Sequence, residues 1–138
     1  VSAEPICSID LYPTVAAAAG IEIGHEIDGK NLIPVLEGQS LERQSLFWHY
    51  PHYSNQGGIP GGAIREGDYK LVERYEDGRV HLYNLKNDIG EQVDLADKDP
   101  ERVKAMRERL HAWYKEVDAK FLQEKDGEKP WHPFEGAE

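Results

Sequence analysis

Apolar residues recur along this chain with two different periods. In the last third, Val103, Met106, Leu110, Trp113, Val117 and Phe121 are spaced by three or four residues, which predicts one helical stripe. Asp99 supplies an N-cap and Pro100 fits the first helical position, so the spacing predicts a helix over 100–124. Upstream the period falls to two. Tyr69, Leu71, Glu73 and Tyr75 point one way on a strand, and Lys70, Val72 and Arg74 the other. Four strand-like runs follow from this reading, at 44–50, 63–66, 69–75 and 80–85. Glu66-Gly67-Asp68 turns the chain between the second and third. Asp77-Gly78 predicts a type I′ hairpin between the third and fourth, because that turn needs positive φ at both central positions. The predicted fold class is therefore α+β: a four-stranded antiparallel sheet covered on one face by the long C-terminal helix.

The N-terminal part is shorter in period and poorer in strand formers. Residues 8–19 read as a short helix with Ser8 or Asp10 as N-cap, Pro13 in its first turn and Gly20 as its stop. Leu11, Val15 and Ala18 share one face. A second helical turn is predicted over 31–37, closed by Gly38. The organisation is then residues 1–40 as a helical segment, 41–124 as the sheet-and-helix subdomain, and 125–138 as an irregular tail with Trp131 and Phe134 as anchors.

Composition narrows the partners. The chain has 138 residues, 26 acidic and 16 basic side chains, a net charge of −10 and a mean hydropathy of −0.68. Such a balance disfavours nucleic acid and anionic membranes as partners. No apolar run is long enough to span a bilayer. Cys7 is the one cysteine, which excludes an internal disulfide. The chain starts at Val1 and shows no signal peptide, which reads as a piece of a longer protein.

The candidate chemistry is sparse. His49 and His52 are three apart, but Pro51 lies between them, and a zinc site would need two further ligands that are not apparent. The reading assigns no metal. The glycine-rich run 56–62 lacks a phosphate-loop pattern. Asn87, Asp88 and Glu91 fail the spacing of a calcium loop. Cys7 has no partner in sequence that would activate it. One compositional anomaly stands out: from Gln44 through Ile64 there is no carboxylate, and His49, His52 and Arg65 are the potential positive charges around that stretch. It suits a surface that faces an anion, or one that packs against another domain.

The order of these signals resembles a known family. SIDLYPTVAAAAG, DGKNLIPVLEG, IREGDYKL and LYNLKNDIGE, followed by a capped amphipathic helix, are similar to the C-terminal portion of type I sulfatases, within the alkaline-phosphatase-like superfamily. The family usually has proline where this chain has Ile89. The resemblance implies a C-terminal subdomain whose partner is the N-terminal catalytic domain of the same protein, with residues 1–38 lying on that domain. It implies sulfate-ester hydrolysis in the full-length parent, with formylglycine as nucleophile and calcium as metal, in the periplasm or outside the cell. None of that catalytic set maps here: Cys7 is followed by Ser8-Ile9-Asp10-Leu11, not by the family's Cys/Ser-x-Pro-x-Arg pattern. No catalytic residue is assigned to this chain, and the chain alone is expected to be inactive. What the resemblance carries over is substrate contact from WHYPHYSNQGGIPGGAIR, with His49, His52 and Arg65 facing a sulfated small molecule or sugar. Uncovered, the apolar face of residues 9–19 is expected to drive self-association. Two other readings stay open: a noncatalytic binding or oligomerisation module, and the C-terminal part of a related phosphatase or phosphodiesterase.

Overall fold

A computed structural model describes residues 2–124 and 127–134. The chain divides into two units, Val1–Arg43 and Gln44–Glu138. The first begins with a 3-10 turn at Ser8–Asp10 that runs into helix α1, Leu11–Ala18; helix α2 is Ile33–Leu36. Asp10 does not cap α1. Its carboxylate instead accepts hydrogen bonds from the backbone N–H of Cys7 and of Lys30, each at 2.8 Å, and from both terminal nitrogens of Arg43. One fully buried carboxylate thus ties together three segments far apart in sequence. Thr14 adds a second tie: its hydroxyl donates to the Asp10 carbonyl and accepts from Leu32 N–H. Leu11 and Val15, which share the predicted apolar face, lie exposed.

The second unit is a meander. Strands β1 Ser45–Tyr50, β2 Gly61–Glu66, β3 Tyr69–Arg74 and β4 Val80–Asn84 lie side by side in chain order, each antiparallel to the next. Ile64, Leu71 and Leu82 stand in one row across β2, β3 and β4, fully buried, under Met106 and Leu110 of helix α3, Pro100–Glu116. Asp99 caps α3 through its side chain, as its position before Pro100 predicts, accepting from Arg102 N–H at 3.1 Å.

Two expectations change. The β3–β4 connection is not a two-residue type I′ turn. Only Gly78 has positive φ, at 68°, and Asp77 does not. The chain instead forms a four-residue loop, Tyr75 to Gly78, closed by Arg74 N–H to Arg79 C=O and Gly78 N–H to Arg74 C=O. Tyr75 thereby leaves the strand and enters the core. Helix α3 also ends well before residue 124. Asp118 adopts φ 50°, Ala119 N–H reaches Tyr114 C=O at 2.9 Å, and Asp118 N–H reaches Lys115 C=O at 3.3 Å. This pair of bonds is the Schellman termination, here with aspartate where glycine is usual. Val117 is therefore the C-cap and half exposed, Phe121 belongs to the returning chain, and Tyr114 takes the buried position that the stripe had given to Trp113 and Val117.

Candidate functional site

The three residues singled out by the sequence do not converge. Alternation along β1 and the register Phe47↔Ile64 turn His49 to the helix-covered face. There its Nδ1 lies 2.6 Å from Tyr75 Oη and its Nε2 lies 2.7 Å from the Lys120 carbonyl. A carbonyl can only accept, so Nε2 carries the proton. Burial among Tyr75, Tyr114 and Phe121 pushes the imidazole pKa down, against the Lys120 hydrogen bond that raises it, and His52 adds to the lowering. In the neutral ring Nδ1 then accepts from the Tyr75 hydroxyl, which leaves the Tyr114 hydroxyl, 2.8 Å away, as donor to Tyr75. Burial also raises the pKa of both tyrosines. Both ring nitrogens of His49 are thus engaged inside the protein. His52 lies beyond the strand, exposed, its ring edge-on to Tyr50 at 5.5 Å.

Arg65 stands on the opposite face. The register places Trp48, Ala63 and Val72 in one row there and Leu46, Arg65, Lys70 and Tyr83 in the next. Of these, Trp48, Ala63, Val72, Arg65 and Lys70 line a groove of about 530 Å³ together with Ile59, Leu85 and Glu91. Its floor is shallow because β2 carries only Gly61 and Ala63 at that point, while the indole of Trp48 is 40% exposed beside it. Lys70 Nζ is held 2.7 Å from Glu91 Oε1. Trp48 and Lys70 were not singled out from sequence, although period-two alternation from Arg65 gives both once β1 is registered against β2.

A second polar cluster lies under α3. Glu73 is fully buried on the helix-covered face and accepts from Arg107 Nε at 2.6 Å and His111 Nε2 at 2.8 Å. Arg107 and His111 are one helical turn apart, so both reach the same carboxylate. A buried charge needs such partners, and this cluster explains how a strand with glutamate on its apolar side is tolerated.

Among the described residues no three His, Cys, Asp or Glu side chains are arranged to hold a metal ion. The donor set here does not fit calcium, and the sequence after Cys7 does not fit a formylglycine site. No helix among the described residues is long and apolar enough to cross a membrane.

Residues 1–120 match the family described as N-sulphoglucosamine sulphohydrolase, C-terminal. A sulfatase of Formosa agariphila is 36% identical over 127 residues, covering 80% of this chain and 23% of its own. A Delta 4,5-hexuronate-2-O-sulfatase of Bacteroides thetaiotaomicron is 33% identical over 107 residues, covering 73% of this chain and 21% of its own. A protein solved in complex with its substrate D-glucosamine-2-N,6-O-disulfate superposes with a TM-score of 0.68 at 26% identity, over 85% of this chain and 25% of that one. The chain thus spans under a quarter of the length of these two sulfatases.

Proposed function

The chain belongs to the N-sulphoglucosamine sulphohydrolase C-terminal family, and from that membership we propose that it is the C-terminal portion of a sulfate-ester hydrolase. The observation that carries this reading is the combination of a C-terminal family match over residues 1–120 with relatives, themselves sulfatases, about four times as long. In full-length members the family implies formylglycine and calcium; both would be held outside these 138 residues, and no catalytic step is assigned to this chain. Its contribution is a rigid sheet-and-helix body, with residues 1–40 lying on the catalytic domain.

Within that body we assign substrate contact to Arg65 and His52, with His49 as a positioning residue that holds the end of β1 through Tyr75 and Lys120. The intact protein that carries these residues is expected to hydrolyse an aryl sulfate or a sulfated sugar and to lose activity with a divalent-metal chelator. The 138-residue chain alone is expected to show no turnover. Turnover by the purified chain, or phosphate-ester cleavage by the intact protein without sulfatase activity, would overturn the reading. In the intact enzyme, His49→Ala and His52→Ala should each lower kcat/KM; unchanged values for both would remove the two histidines from the site.

A further inference from the structure

Arg65 is the exception among the arginines. Every other arginine of the chain has a carboxylate within salt-bridge distance, as the excess of acidic residues makes easy. Among the described residues, the one polar partner of the Arg65 side chain is the Gly67 carbonyl, at 3.4 Å. The register makes the anomaly sharper. Arg65 pairs directly across from Lys70, and like charges directly opposite on a sheet repel. Lys70 is neutralised by Glu91, whose backbone takes a left-handed φ of 53°. Among the described residues no carboxylate neutralises Arg65. A guanidinium with no anion among the described residues, beside a half-exposed indole and above a floor of glycine and alanine, suits a ligand.

We propose that this groove binds one sugar ring bearing a single sulfate, with the ring on Trp48 over Gly61 and Ala63 and the sulfate on Arg65. The proposal rests on the sulfate-ester reading above and names the part of the substrate that this chain holds. Guanidinium presents paired N–H donors that match two oxygens of a sulfate. Tryptophan offers a flat apolar surface with a polar edge, which suits a sugar face. The volume, about 530 Å³, falls within the ordinary range for small-molecule sites. Charge sets the selectivity. Beyond Arg65 the wall is the Lys70–Glu91 pair, which is neutral overall, and its carboxylate oxygens accept from hydroxyl groups and repel a second anion. A monosulfated sugar is therefore preferred over a polysulfated one at this subsite.

The test is a titration of the isotope-labelled 138-residue chain, followed by NMR at the Trp48 indole N–H and the Arg65 side chain. The probes are D-glucosamine 6-sulfate, D-glucosamine and inorganic sulfate. Saturable shifts are expected with the sulfated sugar, and binding weaker by about tenfold or more with each of the other two. Arg65→Gln should remove the response, Arg65→Lys should retain part of it, and Trp48→Ala should weaken it. No saturable shift at Trp48, or equal binding by Arg65→Gln, would overturn the proposal. So would an intact enzyme in which Arg65→Gln lowers Tm and leaves KM unchanged, since the groove would then dock a carboxylate of another protein segment. Sulfatase assay of the intact enzyme separates the two levels: activity without binding at Trp48 removes this subsite and leaves the sulfate-ester reading standing.

Discussion

A methyl group at position 62 would lie 1.8 Å from Tyr114 Oη and 2.5 Å from Tyr75 Oη. The buried tyrosine pair therefore depends on the absence of a side chain at one point of β2. Gly62→Ala must push one hydroxyl out of the chain that runs from Tyr114 through Tyr75 to His49. Overpacking of this kind costs about 1–3 kcal/mol, and a buried hydroxyl left without a partner costs a similar amount. Urea unfolding of Gly62→Ala should show that loss, and Gly62→Ala combined with Tyr114→Phe should recover part of it. A variant within about 0.5 kcal/mol of the parent would mean that the tyrosines are free to move. A second residue-scale prediction concerns Asp10. The Arg43 hydrogen bonds, with those from Lys30 and Cys7, outweigh burial and hold its pKa near 2, against 3.8 when unperturbed. The folded form thus favours the carboxylate. Its contribution is complete above about pH 4 and is lost as the pH falls toward 2, an effect of roughly 2 kcal/mol. Acid titration followed at Lys30 N–H should show the Val1–Arg43 unit loosening over that interval, and Asp10→Asn should lack the step. An identical acid profile in Asp10→Asn would refute it.

At the scale of elements, the start of α3 was legible and its end was not, for one physical reason. Asp99-Pro100 carries both the cap and the fixed φ that begin a helix. The end is set by a left-handed residue, and sequence marks such a residue only when it is glycine or asparagine. Aspartate at 118 carries no such mark, so the apolar spacing seemed to run on to Phe121. The same gap separates the two turns. Gly67-Asp68 is the two-residue connection that its sequence suggests, whereas Asp77-Gly78 lies in a longer loop in which only Gly78 takes a positive φ. Strand alternation was legible enough to set Glu73 beside Leu71. It did not show that Arg107 and His111 would meet that carboxylate, because pairing of helix and sheet is not local. The candidate site suffered most. Composition alone grouped His49 with Arg65, and only the strand register shows that they occupy opposite faces. The Schellman end yields a prediction of its own. Asp118→Gly removes the steric cost of the left-handed conformation and should stabilise the second unit by about 0.5–1 kcal/mol in thermal or denaturant unfolding. A loss of stability would show that the aspartate side chain matters more than its backbone.

At the scale of the molecule, the first unit presents apolar side chains that its own residues do not cover. Ile6, Ile9, Leu11, Tyr12, Val15, Ile21 and Leu36 are each between 47% and 81% exposed within a stretch of some thirty residues. Scattered exposed apolar residues are ordinary, but a concentrated set marks a surface that another body normally covers. Under the function proposed above, the catalytic domain would be that body, since the relatives are about four times as long as this chain. Separated from it, the chain has one way to remove the surface from water, which is to bury it against another copy. The 138-residue chain should therefore associate in a concentration-dependent way, with a mass by light scattering that falls on dilution. Leu11→Ser with Val15→Ser should shift it toward monomer without unfolding it, because both side chains point away from the Asp10–Arg43 tie that holds the unit together. In the intact enzyme the same pair of substitutions should lower Tm rather than change mass, if the surface there is covered by the catalytic domain as proposed. A chain that stays monomeric at high concentration, together with an intact enzyme indifferent to both substitutions, would show that this face is simply tolerated in water.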